Sequence, residues 1–279
     1  MPVNTVFRTG LFAGKTIVVS GGGTGIGRAI ARELATLGAT VVICSRSPEH
    51  LEPTRDEILA SGGQAVALPV NVRDPDSVAA FFATLKQRDG RVDGLVNNAG
   101  GQFLSPAEAI TPRGWSAVVE TNLNGAFHMS RGALDAGMRE HGGAIVNIVM
   151  EMWRGMPGMA HSGAARAGVV NLTQSLALEW ATYGVRVNAV APGLINSSGL
   201  KTYPAEVQAR LAAVASEIPA ARMGTEAEVA AATTFLLSPA SAFISGTTLK
   251  VDGGGSLYRL QGYVIPEHTQ WPAYEGEGE

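Results

Sequence analysis

The sequence has little cysteine, no concentrated positive charge and no long apolar run. Its single cysteine, Cys44, cannot form an intramolecular disulfide. The 21 Lys and Arg residues against 24 Asp and Glu give a formal charge of −3. The sequence has no long block of Lys or Arg, so we expect no nucleic-acid partner. No apolar run approaches the ~20 residues of a membrane-spanning helix, so we expect no membrane partner.

Metal ligands and address signals are also scarce. The 5 histidines are scattered and Cys44 stands alone, so no metal site is predicted. The first residues lack the apolar core of a secretory signal, and the last three are Glu-Gly-Glu rather than a peroxisomal Ser-Lys-Leu address. We therefore expect a reducing compartment, the cytoplasm.

What the chain has in abundance is glycine, at 35 of 279 residues, and an alternation of short β-branched runs with helical stretches. Seven strands separated by helices require right-handed crossovers and a parallel sheet covered on both faces. The sequence therefore predicts an α/β fold with a doubly wound seven-stranded parallel sheet, a Rossmann fold, as a single domain over residues 1–279. The predicted strands are Lys15–Ser20, Thr40–Cys44, Gln64–Val70, Gly94–Asn97, Ala144–Val149, Val185–Val190 and Thr248–Val251. The predicted helices are Ile26–Leu37, Leu51–Ala60, Asp76–Arg88, Arg113–Arg139 and Ser162–Tyr183.

Two segments depart from this alternation. Residues 193–224 are too long for a simple connection, and long inserts in compact domains usually cover a binding site. We expect this insert to be a substrate lid, with Leu194, Leu200 and Tyr203 over the substrate. The second segment is a C-terminal extension, residues 253–279, after the last predicted strand.

A glycine-rich turn joins the first predicted strand to the first helix. Residues without a Cβ atom let the chain turn tightly and bring backbone N–H groups close to a pyrophosphate, while the helix N-terminus faces the anion. Gly21, Gly25 and Gly27 have this spacing. The alternative is a turn that only connects the strand to the helix. The position after the first strand favours a dinucleotide-binding turn.

The end of the second predicted strand bears on the choice of cofactor. NAD-binding units place Asp or Glu there to bind the ribose, and such a carboxylate would repel a 2′-phosphate. Here the residues are Ser45, Arg46 and Ser47, and the Arg46 guanidinium suits a phosphate. The sequence predicts NADP(H) in preference to NAD(H), with a solvated surface arginine as the alternative.

Four motifs, in order along the chain, resemble the short-chain dehydrogenase/reductase family. They are the glycine-rich turn, Asn97-Asn98-Ala99-Gly100 after the fourth strand, Asn122 within Thr-Asn-Leu-Asn-Gly, and Pro192-Gly193 after the sixth strand. The resemblance covers essentially the whole chain. It implies that Asn71 and Val72 lie at the edge of the adenine ring and that the nicotinamide faces Pro192, Gly193, Ile195 and Ser197. The implied cofactor site comprises Gly21, Thr24, Gly25, Ile26, Gly27, Ser45, Arg46, Asn71, Val72, Asn98, Ala99, Gly100, Arg166, Pro192, Gly193, Ile195 and Ser197.

The usual catalytic residues of that family are mostly replaced. Most members carry an upstream Ser and a Tyr four residues before a Lys, which lowers the phenol pKa for proton exchange. Here Ser162 replaces the Tyr, Arg166 replaces the Lys, the upstream Ser is absent, and only Asn122 of the tetrad remains. Because a serine hydroxyl is a far weaker acid than a phenol, ordinary ketone reduction or alcohol oxidation is disfavoured.

Reduction of an α,β-unsaturated thioester asks less of the protein. Hydride adds at Cβ, and the enolate oxygen needs hydrogen-bond donors until Cα takes up a proton. Ser162-x3-Arg166 resembles the Ser-x3-Lys of mitochondrial 2,4-dienoyl-CoA reductases, whose Asn is matched by Asn124 and whose Tyr position is Glu151 here. The predicted catalytic residues are Asn122, Asn124, Glu151, Ser162 and Arg166. Glu151 or His161 is the candidate proton donor; the alternatives are a solvated carboxylate and a structural histidine.

Other stretches favour different substrates. Gly101–Glu108, His161–Gly168 and Tyr263–Trp271 resemble peroxisomal trans-2-enoyl-CoA reductases, whereas Met152–Gly158 resembles bacterial citronellol or citronellal dehydrogenases. Three functions stay open: an NADPH-dependent reductase of an enoyl thioester (acyl-CoA), an NAD(P)-dependent alcohol or aldehyde dehydrogenase on a branched terpenoid or acyl chain, and an NADP-binding protein without turnover. The family resemblance also implies a homotetramer or homodimer, with Leu257–Trp271 near a neighbour's site.

Overall fold

A parallel sheet forms the centre of the computed structural model, which describes residues 5–200, 203–257 and 271–276. The sheet has seven strands in the order β3-β2-β1-β4-β5-β6-β9, and each neighbouring pair is parallel. This confirms the predicted doubly wound fold, with strand ends that shift by one or two residues. The strands are β1 (Thr16–Ser20), β2 (Thr40–Ser45), β3 (Gln64–Pro69), β4 (Gly94–Asn97), β5 (Gly143–Ile148), β6 (Val185–Pro192) and β9 (Thr248–Val251).

Helices cover both faces of the sheet. Apolar side chains of α1 and α9 pack on one face, and those of α3, α5 and α7 pack on the other. Within the described residues, no helix has the length and apolar character needed to cross a membrane. The helices are α1 (Gly25–Thr36), α2 (Glu52–Ala60), α3 (Pro75–Asp89), α4 (Pro112–Val119), α5 (Gly125–Ala133), α6 (Arg139–His141), α7 (Ala160–Glu179), α8 (Ala205–Ala215) and α9 (Glu226–Leu237).

The long helix predicted over Arg113–Arg139 is divided by two π-helical turns. These turns span Glu120–Asn124 and Leu134–Met138, and they separate α4, α5 and α6. A π turn widens the helix locally and is frequent at functional sites. The first of the two carries Asn122, whose side chain is buried against the loop that follows β4.

Two helices and a short second sheet are absent from the sequence prediction. The insert 193–224 contains α8 and strand β7 (Ile195–Asn196), which pairs with β8 (Gly224–Thr225). Helix α9 follows at once and is buried along much of its length. Its start is a capping box, in which Thr225 accepts from the Glu228 backbone N–H and Glu228 accepts from that of Thr225.

The order of the strands places a crevice at the carboxyl ends of β1 and β4. The chain leaves β1 toward β2 on one side and β4 toward β5 on the other, so the loops after these two strands separate. Below the crevice, Asn97 of β4 donates to Asn147 of β5 at 2.8 Å and to Ser130 of α5 at 2.9 Å. This buried network fixes β4 against the helices that carry the candidate site.

The single cysteine lies inside this sheet. Cys44 on β2 is completely buried, and burial raises the pKa of its thiol. The thiol is therefore held in its neutral form at physiological pH.

Candidate active site at the carboxyl ends of the strands

The glycine-rich turn has the backbone that the sequence predicts. Gly21 and Gly25 have φ angles of +66° and +56°, which side chains rarely adopt. A Cβ atom on Gly27 would lie 2.1 Å from the carbonyl oxygen of Gly21. The turn is also tied to the loop after β4, since the Asn98 amide donates to the carbonyl oxygens of Ser20 and Gly21 at 3.2 and 3.0 Å.

The first turn of α1 belongs to the same cradle. Thr24 precedes α1 in extended conformation, and Ile26 lies in its first turn. The free N–H groups at such a helix start point at whatever anion occupies the turn. A pyrophosphate fits here, because Gly27 lets the start of α1 pack directly against Gly21 and the free N–H groups of that start then face the turn.

The residues after β2 and β3 flank this turn. The Ser45 hydroxyl donates to the carbonyl oxygen of Ser47 at 3.0 Å, which shapes the loop that carries the exposed Arg46. After β3, the Asn71 N–H donates to the Ser77 hydroxyl, and Val72 packs within reach of Gly125. The predicted ribose-phosphate and adenine sides of the site thus lie at one edge of the sheet.

The loop after β4 is fixed by Asn122. Its amide donates to the carbonyl oxygen of Gly101 at 2.8 Å, and its oxygen accepts from the Gly101 N–H at 3.0 Å. Gly100 approaches the same group closely, since a Cβ there would lie 2.4 Å from Nη2 of Arg166 and 2.7 Å from Oδ1 of Asn122. Asn122, Gly100 and Arg166 therefore meet at one point of the crevice.

Arg166 is a cation without a carboxylate partner among the described residues. Its Nη1 donates to the carbonyl oxygen of Ile148 at 2.6 Å, and its Nε is buried without a partner there. Burial lowers the pKa of Arg166 to about 10, so the guanidinium stays protonated at neutral pH. A buried, unpaired positive charge favours an oxyanion or a ribose hydroxyl beside it.

Ser162 lies one turn before Arg166 on the same face of α7. It is fully buried, and its hydroxyl donates to Oε1 of Gln102 at 2.9 Å and contacts Sδ of Met150 at 3.6 Å. The Ser162 N–H donates to Nδ1 of His161 at 2.9 Å, so the neutral imidazole carries its proton on Nε2. Within the described residues, that Nε2 is buried without a hydrogen-bond partner.

Two predicted catalytic residues have other arrangements. The Asn124 amide donates to Oε2 of Glu120 at 2.8 Å, within its own helical turn. Glu151 is half-buried, and its Oε1 has no partner among the described residues, while its N–H donates to the carbonyl oxygen of Pro192. The contact of Asn124 with substrate and the acid role of Glu151 stay predictions.

The segment after β6 crosses the mouth of the crevice. The Gly193 N–H donates to the carbonyl oxygen of Val251, and a Cβ on Gly193 would lie 2.8 Å from Cβ of Asp252. Ile195 is buried in β7. Ser198 rather than Ser197 approaches the glycine-rich turn, since its hydroxyl would lie 3.0 Å from a Cβ on Gly25. The contacts of Pro192, Gly193, Ile195 and Ser197 with the nicotinamide stay predictions.

Two polar groups of the site were not predicted: the amide of Gln102, and the hydroxyl of Tyr203, which the sequence places only among the lid residues over the substrate. Gln102 Nε2 donates to the Tyr203 hydroxyl at 3.1 Å, while Gln102 Oε1 accepts from Ser162. The available signal was the place of Gln102, directly after Gly101 in the loop that follows β4. The predicted extension 253–279 is described at residues 253–257 and 271–276; much of Leu257–Trp271 lies outside the described residues.

Comparisons with known proteins identify the family of the chain. Residues 21–256 match a family model described as enoyl-(acyl carrier protein) reductase. A relative named probable 2,4-dienoyl-CoA reductase, from Bacillus subtilis strain 168, is 38% identical over 243 residues, covering 86% of this chain and 96% of the relative. A solved citronellol catabolism dehydrogenase, AtuB of Pseudomonas aeruginosa PAO1, has a TM-score of 0.82 and 46% identity, covering 91% and 99% of the two chains.

A third comparison concerns the cofactor. A Beutenbergia cavernae structure described as an NAD(P)-dependent gluconate 5-dehydrogenase, with bound NADP, is 35% identical with a TM-score of 0.81 and covers 90% of this chain and 100% of its own. The fold and site define an oxidoreductase with a nicotinamide cofactor. The chain belongs to the short-chain dehydrogenase/reductase family, as its motifs indicate.

Proposed function

We propose that the protein is an NADPH-dependent reductase of the 2,3 double bond of an enoyl thioester, with acyl-CoA as the substrate. The observation that carries this proposal is the buried Arg166 cation, which has no carboxylate partner among the described residues and lies one turn after Ser162 on α7. A buried positive charge suits an enolate oxygen, which needs positive potential and hydrogen-bond donors more than it needs a strong acid. The Bacillus subtilis relative's name is in line with this chemistry.

Each residue of the site has its own role in the proposed reaction. When bound, NADPH supplies the hydride that adds to Cβ. Arg166 binds the ribose hydroxyls and raises the positive potential around the substrate oxygen, and Asn122 keeps Gly100 and Gly101 in place. Glu151 is the proposed source of the proton for Cα, since one of its oxygens is buried without a partner among the described residues.

Apolar surface at the mouth of the crevice suits an acyl chain. Phe103, Leu104 and Trp153 are 40%, 46% and 45% exposed, and they lie on the loops after β4 and β5. Met150, Met152, Met156 and Met159 add flexible thioethers on the same loop. We propose that these side chains bind the chain of the substrate.

An assay of NADPH consumption tests the proposed reaction. The purified protein is mixed with NADPH and crotonyl-CoA, hexenoyl-CoA or decenoyl-CoA, and the fall in NADPH absorbance is followed. We expect turnover with at least one of the three. No consumption with any of them, beside clear turnover of citronellal, would contradict the proposed reaction.

The cofactor preference rests on Arg46. Replacing it in Arg46→Ala should raise the KM for NADPH by about 10- to 50-fold, because the 2′-phosphate loses a bidentate partner, and leave the KM for NADH within about twofold. Steady-state kinetics with both cofactors measures this, and Arg46→Lys, which keeps the charge, should give an intermediate value. An equal change for NADH and NADPH would show that Arg46 does not contact the 2′-phosphate.

A second candidate function is oxidation of citronellol or a similar branched terpenoid alcohol. It is favoured by the 46% identity with AtuB and by the Met152–Gly158 stretch. Turnover of citronellol with NAD(P)+ that disappears in Glu151→Gln or His161→Ala would favour it over the enoyl thioester. Binding of NADP in calorimetry without turnover of any substrate would instead indicate the non-enzymatic alternative.

We also propose a cytoplasmic homotetramer or homodimer. The family resemblance places subunit contacts on the helices predicted over Arg113–Arg139 and Ser162–Tyr183 and on the last strand. Exposed apolar side chains lie on both helices: Phe127 on α5 is 39% exposed, and Leu178 on α7 is 81% exposed. Phe243, just before β9, is also fully exposed. A second copy of the chain would remove this surface from water.

A further inference from the structure

A chain of side-chain hydrogen bonds joins the buried Ser162 to the insert 193–224. The Ser162 hydroxyl donates to Oε1 of Gln102 at 2.9 Å, and Nε2 of Gln102 donates to the Tyr203 hydroxyl at 3.1 Å. Both bonds point the same way, outward from α7. The amide of Gln102 is thus the only group between Ser162 and Tyr203 in this chain of bonds.

The direction of these bonds decides which proton is left for a substrate. The Ser162 proton is engaged by Gln102, so this hydroxyl is not a free donor while the chain is formed. The Tyr203 oxygen accepts from Gln102, which leaves its own O–H to donate elsewhere. A tyrosine from a different part of the fold therefore offers a phenol donor two hydrogen bonds away from Ser162, which stands where the family's usual tyrosine is missing.

Hydrogen bonds to the backbone of Gly101 and Tyr203 hold the Gln102 and Tyr203 part of this hydrogen-bond chain in place. Gln102 follows Gly101, which Asn122 binds through two hydrogen bonds. The Tyr203 N–H donates to the carbonyl oxygen of Leu200. The carbonyl oxygen of Tyr203 accepts from Nε2 of Gln208 on α8 at 2.7 Å. Gln102 therefore holds the phenol oxygen of Tyr203, while Leu200 and Gln208 hold its backbone.

We propose that Tyr203 donates a hydrogen bond to the carbonyl oxygen of the substrate, and that Gln102 is the positioning residue that holds its hydroxyl. The inference rests on the proposed function in that the substrate carries a carbonyl group, as an enoyl thioester does. When hydride adds to Cβ, the carbonyl oxygen gains negative charge and the bond from Tyr203 becomes stronger. Tyr203 gives up no proton in this step.

Removal of the phenol hydroxyl is the first test. Tyr203→Phe should lower kcat by about 30- to 100-fold with KM within about threefold, because the lost bond is strongest in the transition state. Gln102→Leu should lower kcat similarly. The double variant should be no slower than the slower single variant, since both changes remove the same interaction. The matched control is Tyr183→Phe, which removes a phenol at the opposite end of α7, where Arg139 lies over the ring.

A charged replacement separates positioning from simple packing. In Gln102→Glu, the ionised carboxylate still accepts from Ser162 but also accepts the Tyr203 proton, which removes that proton from the substrate. Relative to the native protein, its activity should therefore rise as the pH falls from 8 to 5.5 and the carboxylate begins to protonate. A residue with a purely structural role would give a pH-independent ratio.

The outcomes keep this inference separate from the proposed function. The variants are assayed on whichever of the three enoyl-CoA esters and citronellal the native protein reduces, since all four present a carbonyl oxygen. Failure on all three esters beside turnover of citronellal contradicts the proposed function and leaves the Tyr203 test in force with citronellal. Equal kcat for the native protein and Tyr203→Phe, or additive losses in the double variant, overturns the inference. A native protein that reduces none of the four overturns both.

Discussion

Arg166→Met should lower kcat/KM for the substrate that the protein reduces by about 1,000-fold. The substitution keeps the apolar stem but removes the positive charge beside Ser162 and the hydrogen bond to the Ile148 carbonyl oxygen. Arg166→Lys restores the family's usual residue and keeps the charge, so it should lose only about tenfold. Single-turnover and steady-state kinetics with NADPH measure both variants.

The pH profile gives this prediction a second readout. Because burial lowers the pKa of Arg166 to about 10, the charge is present at neutral pH, and the rate should fall as the pH rises through that value. The falling limb should be absent in Arg166→Met. Arg131→Met, which removes an exposed arginine on α5, is the control and should keep both the rate and the limb. A loss below tenfold in Arg166→Met would show that the charge does not act on the reacting oxygen.

Gly27→Ala should weaken NADPH binding by at least about 100-fold. The new methyl group would overlap the Gly21 carbonyl oxygen at 2.1 Å and the Asn98 amide at 2.5 Å, so the turn must open or α1 must shift. Either movement takes backbone N–H groups away from the pyrophosphate. Isothermal titration calorimetry with NADPH measures the loss.

The control for this glycine is Gly62→Ala. Gly62 has a φ of +83° and open space around it, so the change should lower the free energy of unfolding by about 1 kcal/mol without altering NADPH affinity. Thermal unfolding of both variants separates a folding defect from a binding defect. Tight NADPH binding by a folded Gly27→Ala protein would mean that the cofactor does not lie over this turn.

The parallel sheet was predictable because its signals are local. Strands such as β1 and β4 are short, β-branched or apolar, and bounded by glycine or asparagine, and a parallel order follows from the helices between them. Helix α9 was missed because its apolar residues surround it rather than forming one stripe. Its capping box, Thr225 with Glu228, was a usable start signal.

The candidate site was predictable where spacing along one element decides it. Ser162 and Arg166 are four residues apart, and a helix places such residues on one face. The contacts of Gln102 with Ser162 and Tyr203 join residues 60 and 101 positions apart in the chain, so they depend on how two loops cross the end of the sheet. The same limit applies to Asn124, whose pairing with Glu120 depends on the π turn.

The buried state of Cys44 makes the protein convenient for spectroscopy. Its thiol is inaccessible and stays protonated, so it should react slowly with maleimide probes in the folded state. A cysteine introduced at an exposed position of the insert would then be the sole readily labelled group, with no need to remove a native one. Distances from such a label to bound NADPH, by energy transfer, could follow the insert during turnover.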